Sequence, residues 1–224
     1  MLKKLLITLL FVSLFLVSCQ NQNPTSAALV GPCSSFEGLQ KDNCYLDHLQ
    51  CSKINHTNLR DSCVVELAKK KQELSVCRLI QSEKIQAYCW EQIALLTNNL
   101  TLCPQIADSY WRNNCFFQLA LLNNQASLCS EISLASQQMD CLEKIALATN
   151  QHQLCERLGY VKSQKCLFQI AKVTQNPQLC SLLADKINQN SCLYKIAKLT
   201  QNISLCQKIS IDVIRQDCQN FFES

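Results

Sequence analysis

Seventeen of the 224 residues are cysteine and three are histidine. A thiolate can bind soft metal, attack an electrophile or be oxidised to a disulfide, so spacing has to decide among these. Apart from Cys19, the cysteines are Cys33, Cys44, Cys51, Cys63, Cys77, Cys89, Cys103, Cys115, Cys129, Cys141, Cys155, Cys166, Cys180, Cys192, Cys206 and Cys218. From Cys51 onward the steps alternate between 12 and 14 residues, with a single step of 11 between Cys155 and Cys166. Self-similarity at a period of 26 residues marks a repeat array.

One stretch departs from this ruler. In "CYLDHLQC", Cys44, His48 and Cys51 stand at i, i+4 and i+7, on one helical face. With Cys33 they form a Cys3His set, the donor types of a structural zinc site. The plainer reading is a shortened N-terminal capping hairpin with His48 on its surface. Other chemistry is thinly supplied. Three glycines leave no material for a phosphate-binding loop, and Gly-x-Ser-x-Gly, His-Glu-x-x-His and Cys-x-x-Cys do not occur. The chain therefore reads as a non-enzyme with no cofactor.

The elements that position these cysteines are written in the repeat. Its unit is Leu-Cys-x-x-Ile, a variable stretch, then Cys-apolar-x-x-Ile-Ala-x-x-Thr-x-Asn, as in "CLEKIALAT", "CLFQIAKVT" and "CLYKIAKLT". Counted from the second cysteine, offsets 0, 1, 4, 5 and 8 share one helical stripe and fit no strand. Offset 5 is always alanine: Ala68, Ala94, Ala120, Ala146, Ala171 and Ala197. A small residue fixed on that stripe lets a neighbouring helix approach closely. The first cysteine belongs to a shorter helix, with Ser75, Thr101, Ser127 and Ser204 two residues ahead as candidate N-caps, and Ser204 with Gln207 as a capping box. Asn176-Pro177 gives a different start, with proline at the first helical position. Each unit is expected to be a hairpin of a two-turn and a three-turn helix. About eight such hairpins stack as an all-α solenoid. The style is similar to that of tetratricopeptide-like repeat proteins, with a shorter, cysteine-paired unit.

Pairing follows from hairpin geometry, because partners in an antiparallel hairpin lie equally far from its turn. The midpoint of the 12-residue step falls in the variable connection. The midpoint of the 14-residue step falls inside the long helix, which would have to fold back on itself. The expected disulfides are Cys33–Cys44, Cys51–Cys63, Cys77–Cys89, Cys103–Cys115, Cys129–Cys141, Cys155–Cys166, Cys180–Cys192 and Cys206–Cys218. A hairpin this small buries too little apolar surface to hold itself, and a bridge closing so short a loop contributes about 3 kcal/mol.

The N-terminus has its own signature. A basic "MLKK" is followed by the apolar run "LLITLLFVSLFLV" and then "LVSC" at 16–19. This resembles the lipobox of bacterial lipoproteins. The resemblance implies a signal peptide over 1–18, lipid on Cys19 and a membrane-anchored mature chain in the cell envelope, facing the periplasm or exterior. Residues 19–32, polar and carrying Pro24 and Pro32, read as a flexible tether, and residues 33–224 as the repeat domain. The formal charge of +4, of which Lys3 and Lys4 supply two, offers no basic stripe for nucleic acid.

Two functions follow. The first is a lipid-anchored scaffold for an unknown protein partner. Its candidate binding face lies two and six residues after the second cysteine, opposite the stripe, where Leu95, Phe117, Leu121, Leu147, Phe168 and Tyr194 stand at otherwise polar positions. The opposing expectation is that the solenoid buries this face against neighbouring repeats. The second function is thiol-based binding or storage of copper or zinc, in the spirit of copper-storage helical bundles.

Overall fold

A computed structural model describes residues 33–223; the expected signal peptide over 1–18, Cys19 and the expected tether over 19–32 lie outside them. The regular elements of the described residues are all helical. Eight long helices are α1 (Gly38–Asp47), α2 (Thr57–Lys71), α3 (Glu83–Leu96), α4 (Ser109–Leu122), α5 (Ala135–Thr149), α6 (Tyr160–Val173), α7 (Lys186–Thr200) and α8 (Asp212–Glu223). From α2 onward each is preceded by a short helix that carries the first cysteine of the pair. The long helices pack in chain order, each against the next, and the short helices fill the seams. The chain is an all-α array of hairpins with one continuous core.

That core is the stripe read from the repeat. Offset 4 supplies Ile93, Leu119, Ile145, Ile170 and Ile196, none more than 2% exposed. The six alanines at offset 5 are wholly buried. The isoleucine of the short helix, three residues after the first cysteine, adds a second row: Ile54, Ile80, Ile106, Ile132 and Ile209.

The short helix differs from the expectation. In five hairpins it is a 3-10 helix of six residues: Leu100–Gln105, Ala126–Glu131, His152–Arg157, Pro177–Leu182 and Ile203–Lys208. Its N-cap lies two residues earlier than the expected one. Asn99, Asn176 and Asn202 are the N-caps, each side chain accepting from the backbone N–H two residues on. Thr101 and Ser204 instead donate their hydroxyls to Asn99 and Asn202, so the Ser204–Gln207 capping box does not form. The Asn-Pro start at 176–177 is thus the common frame and not an exception.

The Thr-x-Asn ending of the repeat has a mechanical meaning. Thr97, Thr149, Thr174 and Thr200 donate their hydroxyls to the carbonyl four residues back, at 2.7–2.8 Å. The next residue turns left-handed, at φ 48–57°, in Gln72, Asn98, Asn124, Asn150, Gln175 and Gln201. The N–H after it then returns to the carbonyl of the offset-5 alanine, as Asn99 does to Ala94 at 2.8 Å. This is a Schellman closure made without glycine, and asparagine is the side chain best suited to that backbone after glycine.

Successive hairpins are also tied by hydrogen bonds. The residue two before the second cysteine points at the loop of the next hairpin. Asp42 accepts from the N–H groups of Asn55 and His56, and Asp61 from those of Gln81 and Ser82. Asn113, Gln164 and Asn190 accept from Ser133, Ala184 and Ser210. The two N–H donors of Asn55 and His56 hold the Asp42 carboxyl below its ordinary value of 3.8.

Candidate functional site

The sixteen cysteines of the described residues form eight disulfides, in the pairing that hairpin geometry requires. Each spans 11 or 12 residues and joins Cα atoms 5.4–5.7 Å apart. Cys44 is part-exposed and the other fifteen are buried.

The Cys3His set is not assembled. Cys33 and Cys44 are bonded to each other, and Cys51 to Cys63. The ligating atoms of Cys33, Cys44 and His48 do lie within 4.8 Å of one another, but disulfide sulfurs have no thiolate to offer a metal. The His48 Nδ1 sits 2.9 Å from the Cys44 carbonyl on an exposed helix end.

The apolar positions opposite the stripe are mostly packed between repeats. Phe117 is 9% exposed, and Leu95, Leu121, Phe168 and Tyr194 are half-buried against the core. Leu147 alone of the six is exposed, at 38%. Lysines cover two of the rings: Lys144 lies over Phe117 and Lys198 over Tyr194, at 5.1 and 5.3 Å from the centroids. The burial at this row comes from the second neighbour that every internal helix of a stack possesses.

An exposed apolar ladder exists at a different offset. Seven residues after the second cysteine stand Leu96, Leu122, Val173 and Leu199, exposed by 49, 61, 65 and 46%. Ala148 continues the row. A second exposed row, five residues before that cysteine, holds Tyr110, Val161, Ile187 and Val213. Sequence reasoning missed both because they fall among the variable letters of the repeat, and offset 7 lies at the edge of the core stripe.

The interior also holds an acid. Glu91, two residues after Cys89, is 2% exposed, where other hairpins place Phe117, Phe168 or Tyr194. Its carboxylate accepts from Asn114 of the next long helix and from Gln92. Burial raises its pKa above the ordinary 4.5, against those two donors. Between pH 4.5 and that raised value the folded chain holds a proton that the unfolded chain has released, so stability falls as pH rises through this window. Glu91→Gln removes that ionisation while keeping an oxygen for Asn114. The variant is expected to melt higher than the parent at pH 7, with the difference shrinking as the pH is lowered toward 4.5. Thermal unfolding followed by circular dichroism across that range checks it.

Among the described residues no helix is long and apolar enough to cross a membrane. Comparison of the chain with protein-family models, with curated proteins and with solved structures finds no match.

Proposed function

We propose that the chain is a lipid-anchored scaffold of the cell envelope that holds a protein partner on its repeat surface. The observation that carries this reading is the ladder of Leu96, Leu122, Val173 and Leu199, exposed at one fixed offset on four of five successive hairpins, with Ala148 on the other. Contiguous exposed apolar positions on a soluble fold mark interaction surfaces. Because each rung stands on a disulfide-closed hairpin, the row is rigid before it meets a partner, which lowers the ordering cost of association. The "LVSC" sequence supports the lipid anchor, and eight disulfides suit an oxidising compartment. The disulfides also favour the scaffold over thiol-based metal storage, which needs the same sulfurs reduced.

Two measurements on full-length protein isolated from the envelope test this. Free thiols and bound metal should both be near zero; many thiols loaded with copper or zinc would replace the scaffold with a storage protein. A photo-crosslinking residue at Leu122 should give a discrete adduct that Leu96→Asp with Val173→Asp abolishes. Those two surface changes should alter stability by no more than about 0.5 kcal/mol each. An adduct that survives both changes would remove the ladder from the interface.

A further inference from the structure

Two of the seven seams between successive hairpins lack the hydrogen-bonded tie. Five seams are closed by the residue two before the second cysteine, Asp42, Asp61, Asn113, Gln164 or Asn190, acting as acceptor for the loop that follows. At a sixth, Met139 meets a loop one residue shorter, its sulfur 4.0 Å from where a Cβ on Gly159 would stand. At the seventh, between α3 and α4, the position is Ala87, which has no acceptor to give. The loop facing it keeps full length. The backbone N–H groups of Ala107 and Asp108, counterparts of the Gln81 and Ser82 groups that Asp61 satisfies, have no acceptor among the described residues.

The space is open. A solvent-accessible cleft of about 480 Å³ lies at Ala87, walled by Trp90, Ile106, Ala107, Asp108, Glu83 and Lys84. That volume is within the range of small-ligand sites. Trp90 and Ile106 supply an apolar wall, and the Trp90 Nε1 is buried with no hydrogen-bond acceptor. The ionisable groups that line the cleft are Glu83, Lys84 and Asp108. The Asp108 carboxylate is already used, accepting from the N–H of Trp111 at 3.1 Å. The Arg112 guanidinium lies behind the loop, donating to the carbonyls of Ile106 and Ala107 at 3.0 and 3.3 Å.

We propose that this cleft binds an organic carboxylate with an apolar body, its oxygens accepting the N–H groups of Ala107 and Asp108 as Asp61 accepts those of Gln81 and Ser82 one hairpin earlier. The chain itself provides the template. Where both N–H groups are satisfied from within, at Asp42 and Asp61, the acceptor is a carboxylate with one oxygen on each. Such charge-assisted pairs are the stronger hydrogen bonds. The site is independent of the scaffold reading, since it is an internal seam and not the exposed ladder.

The test is a titration of the 15N-labelled full chain with 3-phenylpropionate, read at the amide resonances of Ala107 and Asp108. Saturable shifts of both are expected. Ala87→Asp places the acceptor in the chain and should weaken binding by about tenfold or more, the loss expected when charge-assisted bonds are forestalled. Ala87→Asn, the residue type at two other seams, carries the same test should the aspartate not fold; circular dichroism decides which variant is read. The uncharged 3-phenylpropionamide should bind about tenfold more weakly than the acid. The proposal fails if neither amide shifts saturably, if a folded variant binds as the parent does, or if the amide matches the acid.

Discussion

Reduction of all eight disulfides is expected to unfold the repeat domain. Each bridge closes a loop of 11 or 12 residues and, in the chain-entropy account, contributes about 3 kcal/mol. Removing eight therefore forfeits roughly 24 kcal/mol, more than the ~5–15 kcal/mol that a folded domain typically has in hand. The architecture explains the dependence. Each hairpin touches only its neighbours in the stack, and its short helix is one or two turns long, so neither local helix propensity nor a distant core can replace the bridge. Thiol alkylation followed by mass spectrometry counts the bridges opened, and circular dichroism on the same samples reads the helix lost. Fifteen of the sixteen sulfurs are buried, so reductant must wait for local opening. Cys33–Cys44 contains the exception, Cys44, and should open first with little loss of helix. A cooperative helical melt retained after all eight are alkylated would show that stacking alone suffices. Opening one central bridge, Cys103–Cys115, by paired alanines should lower stability by about 3 kcal/mol.

How much of this was legible in the sequence follows from which contacts leave a repeating letter. The disulfide pairing was legible because only one of the two regular steps is centred on a connection. The long helices and their packing stripe were legible because isoleucine or leucine recurs at offset 4 and alanine at offset 5. The 3-10 form of the short helices was not. Its i to i+3 bonds run between backbone groups, as from Ile106 N–H to Cys103 C=O, and no side chain announces them. The wheel projection left Phe117 open between a binding face and one buried against neighbouring repeats, and the second neighbour that a stack supplies is what buries it. The seam register was invisible for the opposite reason. One task, accepting an N–H from the next loop, is performed by aspartate, asparagine and glutamine in turn, so the position looks variable while its chemistry is constant.

The seam at Asp61 yields the second large effect. Asp61 is wholly buried and accepts from two backbone N–H groups, Gln81 at 3.2 Å and Ser82 at 3.0 Å. Among the described residues it has no ion-pair partner, so these donors are what compensate its charge for leaving water. Asp61→Ala removes both bonds and leaves the two donors facing a void, a loss of about 3 kcal/mol on the scale of charge-assisted bonds to buried groups. Asp61→Asn keeps one acceptor oxygen, the arrangement that Asn113 and Asn190 use at their own seams, and should lose about half as much. Urea unfolding of the three proteins measures both differences. The ordering is the discriminating result. If the seam works through its acceptor, stability falls in the order aspartate, asparagine, alanine, and hydrogen exchange at Gln81 and Ser82 accelerates in the same order. If burial of charge dominated instead, asparagine would equal or exceed the parent. Ala87 shows that the stack tolerates one such vacancy, at a seam whose loop N–H groups remain open to solvent and ligand. At Asp61 the side chain is fully enclosed, and its loss takes the acceptor from both loop N–H groups at once.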